Sequence, residues 1–146
     1  MIKYTLRPAT LDDISITYEI KKDAFKEYVE QVWGWDEEFQ INYHKKDFNT
    51  DGLFIIECEN ASIGVYVIKD DEENIQLCEL YIVKMYQNNG IGSDLINKLK
   101  NNASANCKPI ILQVLKINEG SWKLNQRLGF VIYDENENYY KMRYIP

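Results

Sequence analysis

Residues 79–92, ELYIVKMYQNNGIG, decide the fold of this chain, because the residue pattern changes twice within them. The first part closes a long, largely apolar run that begins at Ile75, which is typical of a central β-strand. Two glycines follow, and after the first of them come apolar residues at helical spacing, namely Ile91, Leu95, Ile96 and Leu99. Backbone N–H groups and the helix dipole at such a strand–loop–helix junction attract an anion. The stretch therefore predicts a phosphate-binding loop from Gln87 to Gly92.

Two common nucleotide-binding loops do not fit these residues. A Walker A loop needs Gly-Lys-Ser/Thr after a longer spacing, and a dinucleotide-binding fingerprint needs G-x-G-x-x-G. The stretch has neither pattern. Nucleoside triphosphates and NAD are therefore poor candidates for the ligand.

Strand and helix patterns alternate through the rest of the chain. Residues 2–7 alternate as a strand that Pro8 should end, and a capping box at residues 10–13 should start a helix. We expect that helix to end near Phe25, and a second helical region, interrupted near Gly34, to reach about His44. Strands are predicted at 53–58, 62–68, 75–83, 110–115, 130–132 and 139–144, and helices at 91–103 and 118–128. The predicted order is β-α-α-β-β-β-α-β-α-β-β.

Length and composition limit the class of protein. With 146 residues and 45% hydrophobic residues, the chain suits one folded domain spanning 1–146. The formal net charge of −6 argues against a nucleic-acid surface and favours a cationic ligand. No apolar run approaches the length of a membrane helix, and the N-terminus lacks a leader pattern. We therefore expect a soluble, cytoplasmic protein without membrane contact.

The cysteines give a separate prediction. Cys58, Cys78 and Cys107 are three in number and include no close pair, which fits neither a disulfide framework nor a zinc site. We interpret them as small core residues, most clearly Cys78 within its strand.

The phosphate loop and its flanks together resemble a known family. The Q/R-x-x-G-x-G/A signature of the GCN5-related N-acetyltransferase (GNAT) superfamily matches Gln87 to Gly92. The preceding residues 79–86 are similar to the E-L-Y-V-x-P-x-Y stretch of many members, although Lys84 stands where they often carry proline. Downstream, Asn118-Glu119 and Gly129-Phe130 resemble the family element N-E-x-A-x-x-x-Y-x-x-x-G-F at the same spacing.

This resemblance implies an α+β (three-layer α/β) fold. Its sheet would be mixed, strongly twisted and mostly antiparallel, with splayed fourth and fifth strands and helices on both faces. It also implies acetyl-CoA as the acyl donor, with no metal. The residues expected at the coenzyme are Ile82, Val83, Gln87, Asn88, Asn89, Gly90, Ile91, Gly92, Ser93, Asn118 and Asn125.

The same resemblance suggests catalytic residues. An amine acceptor arrives as ammonium, with a pKa of roughly 10, and must lose a proton before it attacks a thioester. Glu79 is the best candidate for the base, and the alternative interpretation is a solvent-facing or ion-paired strand glutamate. Asn125 replaces the tyrosine that commonly protonates the leaving thiolate in this family, and Asn cannot act as an acid. Tyr81 and Tyr140 are possible substitutes.

An aromatic and acidic stretch near residues 28–37 suits a cationic acceptor. The predicted acceptor residues are Tyr28, Trp33 and Trp35 together with Glu79, and the alternative is that at least one tryptophan only packs the helices on the sheet. His44 is interpreted as a surface residue at a helix end, without a catalytic role.

The leading hypothesis is an acetyl-CoA-dependent N-acetyltransferase that acts on a primary amine of a small molecule or peptide. A non-catalytic acyl-CoA sensor is the alternative, motivated by Asn125, and a third possibility is a different acceptor atom or a longer acyl chain. A homodimer formed through exposed strand edges stays open.

Overall fold

The computed structural model describes residues 2–146, which form seven strands, four α-helices and two short 3₁₀ turns. The strands are β1 (Thr5–Pro8), β2 (Leu53–Cys58), β3 (Ala61–Asp70), β4 (Ile75–Ile82), β5 (Ile110–Leu115), β6 (Val131–Glu135) and β7 (Tyr139–Tyr144). The helices are α1 (Ile14–Trp33), α2 (Glu37–Asp47), α3 (Ile91–Ala105) and α4 (Glu119–Arg127), and the 3₁₀ turns are Leu11–Asp13 and Lys84–Tyr86. The predicted element order is confirmed.

The strands form one mixed, mostly antiparallel sheet in the order β1-β2-β3-β4-β5-β7-β6. Strands β4 and β5 pair in parallel, and their register covers Ile75–Leu77 with Ile110–Leu112. The α+β fold class and the mixed, mostly antiparallel sheet are confirmed, and the splaying of the fourth and fifth strands stays a prediction.

The chain divides into two compact units. The first contains the residues up to Val67 together with Glu79–Ile91, and the second contains Ile68–Cys78 together with Gly92–Pro146. The expectation of one domain stays a prediction.

The first unit is organised by the junction between β1 and α1. The Thr10 backbone N–H donates to Asp13 Oδ2 at 2.8 Å, and the Thr10 side chain accepts from the Asp12 backbone, so the predicted capping box is present. The Arg7 guanidinium donates to both carboxylate oxygens of Asp13 at 2.9 and 3.0 Å. Behind this junction, Ile20 of α1 packs with Leu53, Ile55 and Val65 of the sheet.

Two predicted boundaries near the N-terminus are wrong. The first strand covers Thr5–Pro8 rather than residues 2–7, so Pro8 lies inside β1 as its last residue, paired with Phe54. Proline is tolerated there because β1 is an edge strand. Helix α1 does not end near Phe25 but continues to Trp33. No glycine or proline interrupts it before Gly34, whose φ of 79° ends the helix.

The β2–β3 hairpin is confirmed, and its strands are joined by a two-residue turn. Glu59 and Asn60 both have positive φ, 53° and 66°, and Cys58 pairs directly with Ala61. This geometry is typical of a two-residue type I′ turn, whose twist matches that of the flanking strands.

The second unit is built around α3 and β5. The apolar residues of α3 that the spacing selected are buried, with Leu95, Ile96 and Leu99 between 2% and 4% exposed. Phe130 and Met142 are likewise buried, at 2% and 0%. The amphipathic helix predicted after the glycine loop is therefore confirmed.

The prediction that the cysteines are core residues is wrong for two of the three. Cys58 is buried as expected, but Cys78 and Cys107 are exposed. In β4 burial alternates from Ile75 to Cys78, so Cys78 shares the exposed face with Gln76 rather than the buried face with Leu77. None of the helices within residues 2–146 is long and apolar enough to cross a membrane.

Candidate active site

The end of β4 lies very close to β3 in the first unit. The Val83 backbone N–H donates to the Ile63 carbonyl at 2.9 Å. A Cβ on Gly64 would stand 2.6 Å from the Tyr81 carbonyl oxygen and 2.8 Å from Ile56 Cδ1. Only glycine leaves room for this approach, so Gly64 fixes where the β4 backbone runs at Tyr81.

Glu79 and Tyr81 share one face of β4, and α1 covers it. The Glu79 carboxylate forms an ion pair with Lys21 Nζ at 3.3 Å, and each side chain is about one third exposed. The same Nζ lies 6.0 Å from the centroid of the Tyr81 ring. The Phe25 ring packs against Tyr81 at 5.1 Å and against Tyr28 at 6.1 Å. The structure thus brings three of the predicted residues together, because Glu79 and Tyr81 of β4 face the side of α1 that carries Lys21, Phe25 and Tyr28.

The sequence did not predict the contact of Lys21 with Glu79 and Tyr81. The Lys21 cation lies beside a carboxylate and an aromatic ring, where the sequence predicted only the cationic group of an acceptor. The ion-paired alternative for Glu79 is therefore present in this structure, although an ion pair does not by itself exclude a role as base.

The two tryptophans lie near the end of α1 in different surroundings. Trp33 is 53% exposed. The Trp35 ring donates its Nε1 hydrogen to Glu37 Oε2 at 2.6 Å and lies 5.8 Å from Lys26 Nζ. Glu37 also accepts from Lys22 at 2.7 Å, and these two donors, Lys22 first, lower the pKa of Glu37 to about 2. Trp35 therefore helps to hold α2 on α1, and its predicted role at an acceptor stays a prediction.

The prediction for His44 was wrong about its surroundings. Its ring is half-buried between the Tyr18 and Phe48 rings, at 5.5 and 5.7 Å. Its Nε2 lies 3.0 Å from Thr17 Oγ1 and 2.9 Å from the Ile14 carbonyl oxygen. Burial lowers the pKa of His44 below its usual value. The histidine joins α2 to the first turns of α1, which a position at a helix end could not reveal.

The loop after β4 is ordered by its own side chains. Gln87 Nε2 donates to the Ile82 carbonyl at 2.8 Å, and Asn89 Nδ2 donates to the Tyr86 carbonyl at 3.2 Å. Asn88 and Gly90 have positive φ, 64° and 83°. Alternation of left- and right-handed residues turns successive N–H groups toward one side, which is how backbone nests bind anions. The geometry fits the predicted phosphate loop.

The turn before this loop makes an additional contact with α1. The Lys84 backbone N–H donates to Asp23 Oδ2 at 2.7 Å, and Lys84 Nζ lies 3.4 Å from Glu27 Oε2. Both acids line an open groove of about 370 Å³, together with Glu19, Lys22, Lys26, Glu30 and Lys84. Sequence reasoning missed this contact because its two residues are 61 positions apart.

In the second unit, the predicted coenzyme residues Asn118 and Asn125 have structural partners. Asn118 caps α4, and its Oδ1 accepts from the Ser121 N–H at 3.3 Å. Asn125 is 5% exposed, and its Nδ2 lies 4.0 Å from Met142 Sδ. Tyr140, one possible acid, packs edge-on against Trp122 at 5.5 Å. Within residues 2–146 no group of three His, Cys, Asp or Glu side chains is arranged to hold a metal ion.

The profile of the acetyltransferase (GNAT) family matches residues 15–130 of this sequence. The chain belongs to the GNAT family. Membership supports acetyl transfer as its general activity, and the resemblance of the loop and its flanks is thereby confirmed. No curated protein matches the chain significantly by sequence.

Solved GNAT structures share the fold at low sequence identity. The PaiA N-acetyltransferase of Thermoplasma acidophilum in complex with coenzyme A has a TM-score of 0.80 at 15% identity, covering 99% of this chain and 100% of that one. The ribosomal-protein-S18-alanine N-acetyltransferase of Escherichia coli gives 0.72 at 15%, covering 98% and 94%. A GNAT acetyltransferase of Elizabethkingia anophelis with acetyl-CoA bound gives 0.68 at 20%, covering 98% of both chains.

Proposed function

We propose that this GNAT protein transfers the acetyl group of acetyl-CoA to a primary amine of a small molecule or peptide. The observation that carries the proposal is the loop from Gln87 to Gly90, which is ordered by two side-chain hydrogen bonds, contains two residues with positive φ and leads directly into α3. Backbone N–H groups at such a position can form an anion-binding nest. Two of the similar GNAT structures contain coenzyme A or acetyl-CoA, which supports the same ligand here.

The residues of the loop fit a pyrophosphate. Gln87 and Asn89 direct their side-chain donors to backbone carbonyls, which holds the loop in shape, and backbone N–H groups at the start of a helix attract an anion. In the proposal, residues 87–93 hold the pyrophosphate, and Ile82 and Val83 contact the pantetheine arm. Acetyl-CoA would supply the acetyl group as a thioester. The roles of Asn118 and Asn125 at the coenzyme stay predictions.

Glu79 is the proposed proton acceptor. A primary ammonium, with a pKa of roughly 10, must lose a proton to become a nucleophile, and a carboxylate in hydrogen-bond reach can accept it directly or through one water. Lys21 Nζ lies 3.3 Å from this carboxylate. An acceptor cation therefore has to share Glu79 with Lys21 or displace it, and the Tyr81 and Tyr28 rings offer it an aromatic surface.

The first experiment is an acceptor screen. Purified protein is incubated with acetyl-CoA and polyamines, aminoglycosides, amino acids or peptides with free N-termini, and thiol release is followed. Because Cys78 and Cys107 are exposed, the Cys78→Ser/Cys107→Ser double variant is used to remove the protein's own reactive thiols. Acceptor-dependent thiol release supports the proposal, and binding of coenzyme A without turnover for any acceptor would contradict it.

The second experiment tests the base. Glu79→Gln should lower kcat and abolish the fall in rate at acidic pH that protonation of the base causes. Glu72→Gln, the same chemical change in an exposed turn, serves as the control. Equal pH profiles for wild type and Glu79→Gln would remove Glu79 from the mechanism.

The sensor alternative has one observation in its favour. Asn125 stands where many GNAT members carry the tyrosine that protonates the leaving thiolate, and it is buried against Met142. A sensor would bind acetyl-CoA tightly and release no thiol with any acceptor, so the acceptor screen separates the two functions.

A further inference from the structure

The turn Lys84–Tyr86 connects β4 to the phosphate loop, and its first N–H group, that of Lys84, donates to a side chain of α1. The residue before it, Val83, has φ −57° and ψ 146°, the extended conformation that a residue adopts before proline. The backbone therefore already suits a proline at position 84. This chain has lysine instead, which supplies a backbone N–H donor that proline lacks, and this donor pairs with an acceptor.

That acceptor comes from α1 rather than from the turn. Asp23 Oδ2 accepts from the Lys84 N–H at 2.7 Å, which satisfies this donor. The N-cap residue of the turn, Val83, makes no side-chain hydrogen bond to it. Asp23 thus acts as an N-cap aspartate does, because its carboxylate accepts from an N–H at the start of a helical turn, although it is 61 residues away in the sequence.

The contact matters because of what the turn leads into. Gln87 donates its backbone N–H to the Lys84 carbonyl at 3.2 Å and its side chain to the Ile82 carbonyl at 2.8 Å. Lys84 is therefore held by Asp23 at its N–H and by Gln87 at its carbonyl. Gln87 is also the first residue of the phosphate loop, so a shift of Lys84 is passed directly to that loop.

We propose that Asp23 is a positioning residue for coenzyme A binding, because its hydrogen bond to the Lys84 N–H fixes the turn that presents the phosphate loop. The inference rests on the proposed function, since it names coenzyme A as the ligand of the loop. The bond to Asp23 would restrict the turn as a proline at position 84 would restrict it. The bond lies in an open groove, so its effect is moderate.

A double-mutant cycle tests the N–H contact itself. Asp23→Ala should weaken coenzyme A binding about fivefold, as expected for loss of one exposed hydrogen bond to a charged acceptor. Lys84→Pro removes the N–H, and Asp23→Ala should then have no further effect. Lys84→Ala keeps the N–H but removes the ion pair with Glu27, and in that background Asp23→Ala should still cost about fivefold.

The readouts separate positioning from general stability. Binding is measured by calorimetry with coenzyme A, and KM and kcat are measured with acetyl-CoA and an acceptor from the screen. Asp23→Ala should raise the KM for acetyl-CoA and leave kcat within about twofold. Asp23→Asn, which keeps a carbonyl acceptor, should restore part of the affinity. Because Asp23 and Lys84 lie at an open groove, all variants should fold, and urea denaturation of each checks this.

Each outcome has a definite consequence. If Asp23→Ala binds coenzyme A as tightly as wild type, or weakens binding equally in the Lys84→Pro and Lys84→Ala backgrounds, the inference is wrong while the proposed function stands. If the wild-type protein does not bind coenzyme A at all, the proposed function fails and this inference fails with it.

Discussion

Replacing Gly64 with alanine should destabilise the protein and disturb its candidate active site together. A Cβ at this position would stand 2.6 Å from the Tyr81 carbonyl oxygen and 2.8 Å from Ile56 Cδ1. The Ile56 methyl group can rotate away, but the Tyr81 oxygen belongs to a backbone held two residues later by the bond from the Val83 N–H to the Ile63 carbonyl. The strands must therefore separate locally.

The size of the effect follows from two opposing terms. Overpacking of a tight interior site costs about 1–3 kcal/mol. Alanine also restricts the unfolded chain more than glycine does, which raises the free energy of unfolding by about 0.4–1 kcal/mol. We expect Gly64→Ala to lower the free energy of unfolding by about 1–2 kcal/mol.

Urea denaturation followed by circular dichroism measures this change. Gly120→Ala is the matched control, because a Cβ there meets no atom within 4 Å and the residue lies in α4. The control should be neutral or stabilising by about 0.5–1 kcal/mol. A free energy of unfolding for Gly64→Ala equal to that of wild type would refute the reasoning. The folded fraction of Gly64→Ala should also show a lower kcat, since Tyr81 shares its β4 face with Glu79.

Three further predictions concern the loop and the pH dependence of stability. Gly90→Val should weaken coenzyme A binding at least tenfold in calorimetry, because φ at Gly90 is 83° and a β-branched residue is strained there; unchanged affinity would remove the phosphate-loop argument. The Arg7 hydrogen bond holds the pKa of Asp13 below its usual value, so this carboxylate stabilises the fold above its unfolded pKa near 4 and ceases to do so as the pH falls through its folded pKa. Asp13→Asn should therefore cost about 2 kcal/mol at pH 7 and less at pH 3 in urea denaturation, and a constant difference would contradict this. Burial lowers the pKa of His44, so wild type should lose stability as the pH falls below about 6.5, and His44→Gln should lack that part of the loss.

The sequence predicted the elements whose signals are local. The β4–loop–α3 junction was found because apolar periodicity changes from strand to helix at two glycines. The Thr10–Asp13 capping box was found because both partners lie within one helical turn. The end of α1 was misplaced because helical spacing alone does not show where a helix stops, and Gly34 was the true signal.

The contacts that shape the candidate site were hidden because they join residues far apart in the chain. Nothing in the sequence around Lys21 shows that its ammonium reaches Glu79, and nothing around Asp23 shows that its carboxylate accepts from Lys84. Cys78 was misassigned for a related reason, because a run of apolar residues in β4 does not reveal which face is covered. The local pattern therefore predicted the framework, whereas the contacts of α1 with that framework are visible only in the structure.

The Arg7–Asp13 contact has a consequence for the order of folding. Its two residues are six positions apart, and closure of a loop of this length takes well under a microsecond, about 10–100 ns for ten residues. The junction between β1 and α1 can thus form before β1 pairs with β2. Arg7 Nε then lies 3.5 Å from Glu57 of β2 in the native state, so the side chain that shapes this junction early also takes part in the later long-range pairing. Substitutions at Asp13 should accordingly slow folding more than they speed unfolding.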